Sequence, residues 1–284
     1  MSAGRGAAEE AAPVGLIAAA GSLPVEIARG ARRLGRRVVC VDVLAADPAL
    51  RDLADAHYAI PLGALAGLID ALRRHGVREV LLAGKVDKLA AMRDARPDAE
   101  AVRAVRRPPD WGDASLLGVF VSVLEEAGFE VASQARYVGH LLPGAGVLTR
   151  RAPAPEETRD AVLGLRIARG VAALDVGQSV AVRRGIVVAV EAAEGTDEMI
   201  RRAGALAPGA VVVKVSRPAQ DARYDLPVVG PQTMAALSAA RAAALAIEAG
   251  RTIVLDRERL VAAADAAGIA VVAIAPDGPT PPPS

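Results

Sequence analysis

The sequence predicts an α/β protein of two domains, on three observations. Apolar strand-like runs alternate with helical patterns through the first half of the chain. A Pro- and Gly-dense stretch, Leu142–Glu157, then interrupts that rhythm. Finally, 52% of the 284 residues are hydrophobic but only 2% are aromatic, so the core must be built from Ala, Val, Leu and Ile.

Taken in order, Val14–Ala19 reads as a strand, Pro24–Leu34 as a helix and Arg37–Val43 as a second strand. Ala64–His75 carries apolar residues at helical spacing and leads into a strand at Glu79–Ala83. Asp113–Ala127 reads as helical and Phe129–Ala132 as extended. Such a βαβαβ run is the signature of a parallel sheet. Beyond the Pro/Gly stretch come a helix near Glu157–Leu174 and strands at Ser179–Arg183 and Gly185–Val190, joined as a hairpin at Arg184-Gly185. A helix near Asp197–Leu206, a strand Val211–Val215, a helix near Thr233–Ala249 and a final strand-helix-strand through Val272 complete the pattern. The expected boundaries are disordered ends at 1–13 and 276–284, with domains at 14–143 and 144–275. A cleft between two domains is a common place for a small-molecule site.

Composition excludes several classes. With 34 basic and 33 acidic residues the formal charge is +1, and aromatic stacking platforms are scarce, so no nucleic-acid partner is expected. One cysteine, Cys40, rules out a disulfide framework, and its apolar setting suits a small buried hydrophobe. The start lacks the apolar centre of a signal peptide, and no run reaches the roughly 18 uncharged apolar residues of a membrane span. A cytoplasmic protein is expected, with room for contact at a membrane surface.

The first strand-to-helix turn, Gly15 to Pro24, contains Gly21 and Ser22 where a phosphate would meet a helix N-terminus. It is neither G-x-G-x-x-G nor a Walker A sequence, because Ala19 and Ala20 stand where glycines would be needed. A nicotinamide oxidoreductase is therefore disfavoured. Both a phosphate role and simple helix capping by Ser22 fit the turn, and Asp42 suits either a ribose contact or a loop cap. Lys85, just past a strand end, suits a phosphate contact or a solvated loop.

The second half holds the strongest signal. Val211–Gly230 reads VVVKVSRPAQDARYDLPVVG, an apolar run that breaks into Lys214, Arg217, Gln220, Asp221, Arg223 and Asp225. Charge beside a core is costly unless it is paired, solvated or bound. Ile186–Ala193 ends likewise in Glu194, Thr196 and Asp197, with Glu191 continuing a strand that looks buried on both faces. The two stretches read as two walls of one site. Asp221, Arg223 and Asp225 alternate, so an extended backbone would project them from one face, as a catalytic wall or as an ion-pair ladder. Carboxylates and cations together suit a diphosphate held with a hard cation, and the three scattered histidines argue against zinc.

These words resemble the LpxI-type UDP-2,3-diacylglucosamine hydrolases of lipid A biosynthesis. The matching stretches are GLIAAAGSLP from Gly15, AGKV at Ala83–Val86, GDASLL at Gly112–Leu117 and LDVGQSVAV at Leu174–Val182. VEAAEGTDEMI at Val190–Ile200 and KVSRPAQDARYDLPVVGPQT at Lys214–Thr233 are longer and more specific. The chain departs from the family at Ala19 and Ala20, at Ala114 after Gly112-Asp113, and at Asp87-Lys88-Leu89.

The resemblance implies an N-terminal Rossmann-like parallel-sheet domain, a C-terminal α/β catalytic domain and a homodimer. It also implies divalent-metal-dependent cleavage of a lipid-linked nucleotide sugar, with water attacking the β-phosphorus to release UMP and lipid X. The family's essential aspartate falls on Asp225. Asp225, Asp221 and Lys214 are then the expected catalytic groups, and Asp225, Asp221, Glu191 and Asp197 the ligands of Mg2+ (or Mn2+). Gln220, Arg223, Thr196, Glu194, Lys85, Gly21 and Ser22 are the expected substrate contacts. Acyl chains would enter from the inner face of the cytoplasmic membrane. Hydrolysis of another nucleotide-diphosphate sugar, or a non-catalytic nucleotide- or lipid-binding module, remain the alternatives.

Overall fold

The computed structural model describes residues 12–86, 95–105, 113–217, 221 and 223–275. The two expected disordered ends fall almost wholly outside the described residues, as do Asp87-Lys88-Leu89, Trp111-Gly112 and Gln220. The chain divides into two compact units, Met1–Val138 and Gly139–Ser284.

The first unit is built on five parallel strands: β1 (Val14–Ala18), β2 (Val38–Asp42), β3 (Ala56–Ala59), β4 (Glu79–Ala83) and β5 (Glu130–Val131). Their order is β3-β2-β1-β4-β5. Every residue of β1 is buried, as a central parallel strand covered on both faces requires. The helix Leu23–Arg33 carries Pro24 in its first turn and buries Val25, Ile27, Ala28 and Ala31, the stripe its apolar spacing prescribes. The edge strand β3 escapes sequence reading because His57 and Tyr58 break any apolar run. Cys40 is fully buried in β2; burial, then the nearby Asp42, pushes its thiol up to about 12.

The second unit holds a six-stranded mixed sheet in the order β6-β13-β11-β9-β7-β8. Its strands are β6 (Gly146–Val147), β7 (Ser179–Arg183), β8 (Ile186–Val190), β9 (Val211–Lys214), β11 (Ala244–Glu248) and β13 (Ala270–Ile274). Strands β9, β11 and β13 run parallel, whereas β6, β7 and β8 add antiparallel margins. A small parallel pair, β10 (Val228–Val229) with β12 (Ile253–Val254), stands apart.

Strand alternation sorts the side chains between the two faces of this sheet. Val180, Val182, Val211, Val213, Ala244 and Ala246 pack with Ala161, Leu165 and Ala168 of the helix Pro155–Ala173. Ala181, Val212, Leu245, Ile247 and Val271 pack instead with Met199, Met234, Leu237 and Leu260 from three other helices. Those helices are Thr196–Leu206, Pro231–Ala239 and Arg257–Ala267. Sheet faces made of Ala and Val allow close helix approach without aromatics. Among the described residues no helix is long and apolar enough to cross a membrane.

Three sequence expectations are corrected. The single helix expected near Thr233–Ala249 is a helix, Pro231–Ala239, followed by the central strand β11. Arg241 adopts φ +51 and ends the helix, while Ala244–Glu248 is buried at every residue; a continuous apolar run cannot distinguish a buried strand from a buried helix. The presumed linker Leu142–Glu157 contains β6 and the first turn of the helix Pro155–Ala173, because Pro suits a first helical turn as readily as a loop. Finally, β8 is an edge strand whose residues Ile186 and Val187 are exposed, not a strand buried on both faces.

Candidate functional site

Three strand ends meet at one corner of the mixed sheet. Ser179 at the start of β7 lies opposite Lys214 at the end of β9, and the Glu191 N–H just past β8 donates to the Ser179 carbonyl at 2.9 Å. The helix Thr196–Leu206 begins immediately beyond, after Gly195 at φ +82. Parallel α/β sheets bind ligands beyond the carboxyl ends of their strands, and the β9 end is such a place.

The side chains form a connected set. Thr196 Oγ1 donates to Glu191 Oε1 at 2.9 Å and accepts from Lys214 Nζ at 3.1 Å. Ser179 Oγ lies 3.3 Å from the same oxygen. A threonine hydroxyl has one proton, and Glu191 takes it, so Ser179 is the donor. Glu191 Oε2 accepts the Gln178 N–H at 3.3 Å. Glu191 and Lys214 are each only 7% exposed, so a carboxylate and an ammonium share a buried corner through one hydroxyl. Buried charges persist only with such partners. Gly177 makes room for Glu191: a Cβ there would sit 2.2 Å from the Glu191 carbonyl oxygen.

The acidic loop after β9 is not the extended ladder that alternation suggests. The Tyr224 and Asp225 N–H groups both donate to the Asp221 carbonyl at 3.1 Å, which makes a turn. Within it Arg223 Nε and Nη2 reach Asp221 Oδ2 at 2.9 and 2.7 Å. Arg223 donating beside Asp221 holds that carboxyl below the usual carboxylate range. Asp225 is half-buried at the end of this turn.

Other expected site residues have ordinary structural employment. Glu194 accepts from Arg202 at 2.6 Å and from the Ala192 N–H at 3.1 Å, closing the exposed turn after β8. Backbone donors of that turn and then Arg202 hold its carboxyl low. Asp197 lies in the first turn of its helix, where the dipole favours a carboxylate.

In the first unit, Gly21, Ser22 and Lys85 come together where the strand order reverses between β1 and β4. The Lys85 N–H donates to the Ala20 carbonyl at 2.7 Å, and Gly84 at φ +108 lets that crossing form, since a Cβ there would lie 2.6 Å from the Ala19 carbonyl carbon. Ser22 precedes its helix without a side-chain cap. Asp42 Oδ1 accepts the Leu44 and Ala46 N–H groups at 3.2 and 3.0 Å, the loop-cap role.

Among the described residues, no three His, Cys, Asp or Glu side chains gather as a metal site. Asp225, Asp221, Glu191 and Asp197 thus do not gather as one set in this structure; Asp221 accepts from Arg223, and Glu191 accepts from Thr196 and the Gln178 N–H. Sequence reasoning also missed Ser179 and Glu248. Glu248 ends β11 at 2% exposure, and its signal, an acid closing an apolar run, is the same one that flagged Glu191.

The LpxI N-terminal domain model matches residues 13–141, and the LpxI C-terminal domain model matches residues 144–272. The chain is 36% identical over 276 residues to the UDP-2,3-diacylglucosamine pyrophosphatase LpxI of Caulobacter vibrioides, covering 93% of this chain and 98% of that protein. Among solved structures it is similar to glycinamide-RNase-transformylase T from Mycobacterium tuberculosis, at 19% identity and TM-score 0.25, over 63% of this chain and 44% of that one. The 2-oxoglutarate carboxylase biotin carboxylase domain of Hydrogenobacter thermophilus matches at 12% identity and TM-score 0.25, over 61% and 35%. Neither structural likeness bears on function.

Proposed function

The chain belongs to the LpxI family, and on that premise we propose that it hydrolyses the pyrophosphate bond of UDP-2,3-diacylglucosamine. The observation that carries this proposal is the match along both halves of the chain to a pyrophosphatase acting on that substrate. The products are UMP and 2,3-diacylglucosamine 1-phosphate. Water attacks the β-phosphorus, the bond from that phosphorus to the bridging oxygen breaks, and the bridging oxygen leaves with UMP.

The residues supply what this displacement needs. Lys214, held by the Thr196 hydroxyl at the start of a helix, neutralises charge that builds on the phosphoryl oxygens. Ser179 and Glu191 keep that hydroxyl turned so that its oxygen faces the ammonium. Asp225 and Asp221 stand on the acidic turn, with Arg223 as the accompanying cation; Asp225 orients the attacking water. Gln220, Glu194 and Arg223 contact the substrate on this unit; in the first unit, Lys85, Gly21 and Ser22 offer a phosphate contact of their own.

Dependence on Mg2+ or Mn2+ is part of the proposal; a bound divalent ion would supply further neutralisation of the diphosphate. A homodimer, and a peripheral position at the inner face of the cytoplasmic membrane where a diacylated substrate resides, complete it.

The test is release of UMP from UDP-2,3-diacylglucosamine by wild-type protein and by Asp225→Ala, with Mg2+ or with EDTA. No release by the wild-type protein sinks the reaction, and undiminished release by the variant removes Asp225 from it. Full activity in EDTA removes the metal. In ¹⁸O water the label enters the sugar phosphate; label in UMP would overturn attack at the β-phosphorus.

A further inference from the structure

We propose that Glu248 is a positioning residue: it anchors Ser216, where the chain leaves β9 toward Asp221 and Asp225, to the end of β11. The inference rests on the proposed hydrolysis for its kinetic consequence and on geometry alone for the anchoring itself.

Strands β9 and β11 pair in register only as far as Lys214 and Ile247. Beyond that pair the ladder gives way to a side chain: the Val215 N–H turns to the Gln178 carbonyl at 2.9 Å, and the Ser216 N–H donates to Glu248 Oε2 at 2.7 Å. That carboxylate thus takes the first backbone donor after β9 that the sheet does not use. Its other oxygen, Oε1, accepts from Arg169 Nε at 3.0 Å and Nη2 at 2.8 Å, so the helix Pro155–Ala173 sets its orientation. With Glu248 only 2% exposed, these charge-assisted bonds are what make the buried carboxylate tolerable.

The far end of the loop returns to the same short segment. The Ile253 N–H donates to the Pro227 carbonyl at 2.8 Å, just before Val228 and Ile253 pair. Ser216 Oγ lies 3.4 Å from the Arg251 carbonyl, and the Arg251 N–H lies 3.3 Å from the Glu248 carbonyl. Ser216 and Pro227 are thus both tied to residues 248–253, and Glu248 holds Ser216. Catalytic geometry is sensitive to such anchors, since a displacement of about 1 Å at a distance can cost about 100-fold in rate.

The experiment compares full-length wild type, Glu248→Ala, Glu248→Gln, Asp225→Ala and the Glu248→Ala/Asp225→Ala double variant. Hydrogen exchange of peptides spanning 216–229 is expected to quicken by about tenfold in Glu248→Ala, while peptides of β9 and β13 keep their protection. In the assay kcat falls by about 10- to 100-fold with KM within about twofold. In the Asp225→Ala background the same change costs almost nothing further, because the residue it positions is gone. Should Glu248→Ala fail to fold, Glu248→Gln keeps the volume and an acceptor but loses the charge, and is expected to quicken loop exchange several-fold. Unchanged loop exchange in whichever variant folds, or full additivity with Asp225→Ala, overturns the inference. Absence of UMP release from the wild type would sink the proposed hydrolysis alone, and the exchange result would still decide the anchor.

Discussion

Lys214 closes β9 and Thr196 opens a helix elsewhere in the unit, yet the ammonium donates to the hydroxyl at 3.1 Å. Thr196 in turn donates its hydroxyl hydrogen bond to Glu191, so one oxygen links a cation and an anion. This links two segments that are each an apolar strand ending in polar residues.

Thr196→Val removes the hydroxyl and keeps the shape. It is expected to lower UMP release by about 10- to 100-fold. With Glu191 short of a donor, urea unfolding should show a loss of about 1–3 kcal/mol. Thr196→Ser, which restores the oxygen, should recover most of both; a valine variant matching wild type in rate would remove Thr196 from the site.

Lys214→Met is expected to reduce kcat by roughly 100-fold or more, since neutralisation of the diphosphate is lost along with the charge. Lys214→Arg should recover only part, because a planar guanidinium does not occupy the place of a compact ammonium in a buried corner. Steady-state kinetics separate the two, and equal rates for Met and wild type would exclude a catalytic part for Lys214.

Asp160 tests stability apart from function. Its carboxylate accepts the Arg184 and Gly185 N–H groups, each at 2.7 Å, and so holds the β7–β8 turn from the helix Pro155–Ala173. Both turn residues have positive φ, the conformation of a tight hairpin turn. Asp160→Asn retains one acceptor and should cost about 1–3 kcal/mol in denaturant unfolding, with UMP release per folded molecule within twofold or so of wild type.

The first unit should weaken in acid through Glu79. Burial alone would raise its carboxyl, but the Tyr137 hydroxyl at 2.5 Å and the guanidinium groups of Arg36 and Arg136 prevail and hold it below the ordinary value of 4.5. A depressed folded value means that the stabilisation is complete above the unfolded value and is lost as pH falls through the folded one. Unfolding midpoints of wild type should therefore drop below about pH 4.5 more steeply than those of Glu79→Gln. Parallel slopes would remove Glu79 as the cause.

Much of the fold was legible because burial leaves a local trace. Val14–Ala19 and Glu79–Ala83 read as strands, and Pro24–Leu34 and Ala64–His75 as helices, and the structure forms these elements at Val14–Ala18, Glu79–Ala83, Leu23–Arg33 and Leu65–Arg74, since each buries one continuous set of residues. Ala244–Glu248 did not, because a strand covered on both faces by Ala and Ile has no periodicity of its own. The short pairs β10 and β12 are defined by each other and carry no signal singly.

The sequence by itself determined the class of fold and the two strand-to-polar transitions that mark the candidate site. It also determined the words that place the chain in its family. Tertiary structure alone decided which charges serve which purpose. Asp221, Arg223 and Asp225 alternate in sequence but sit in a turn, with Asp221 and Arg223 spent on each other. Glu191 reads as an acid ending a strand, and the fold sets its oxygens against the Thr196 hydroxyl and the Gln178 N–H. Glu248 closes an apolar run in sequence, and the fold gives its carboxylate the Ser216 N–H. The physical reason is range: hydrophobic periodicity is set by neighbours a turn or a strand step away, whereas a buried charge is defined by whichever partner the fold brings within about 3 Å of it.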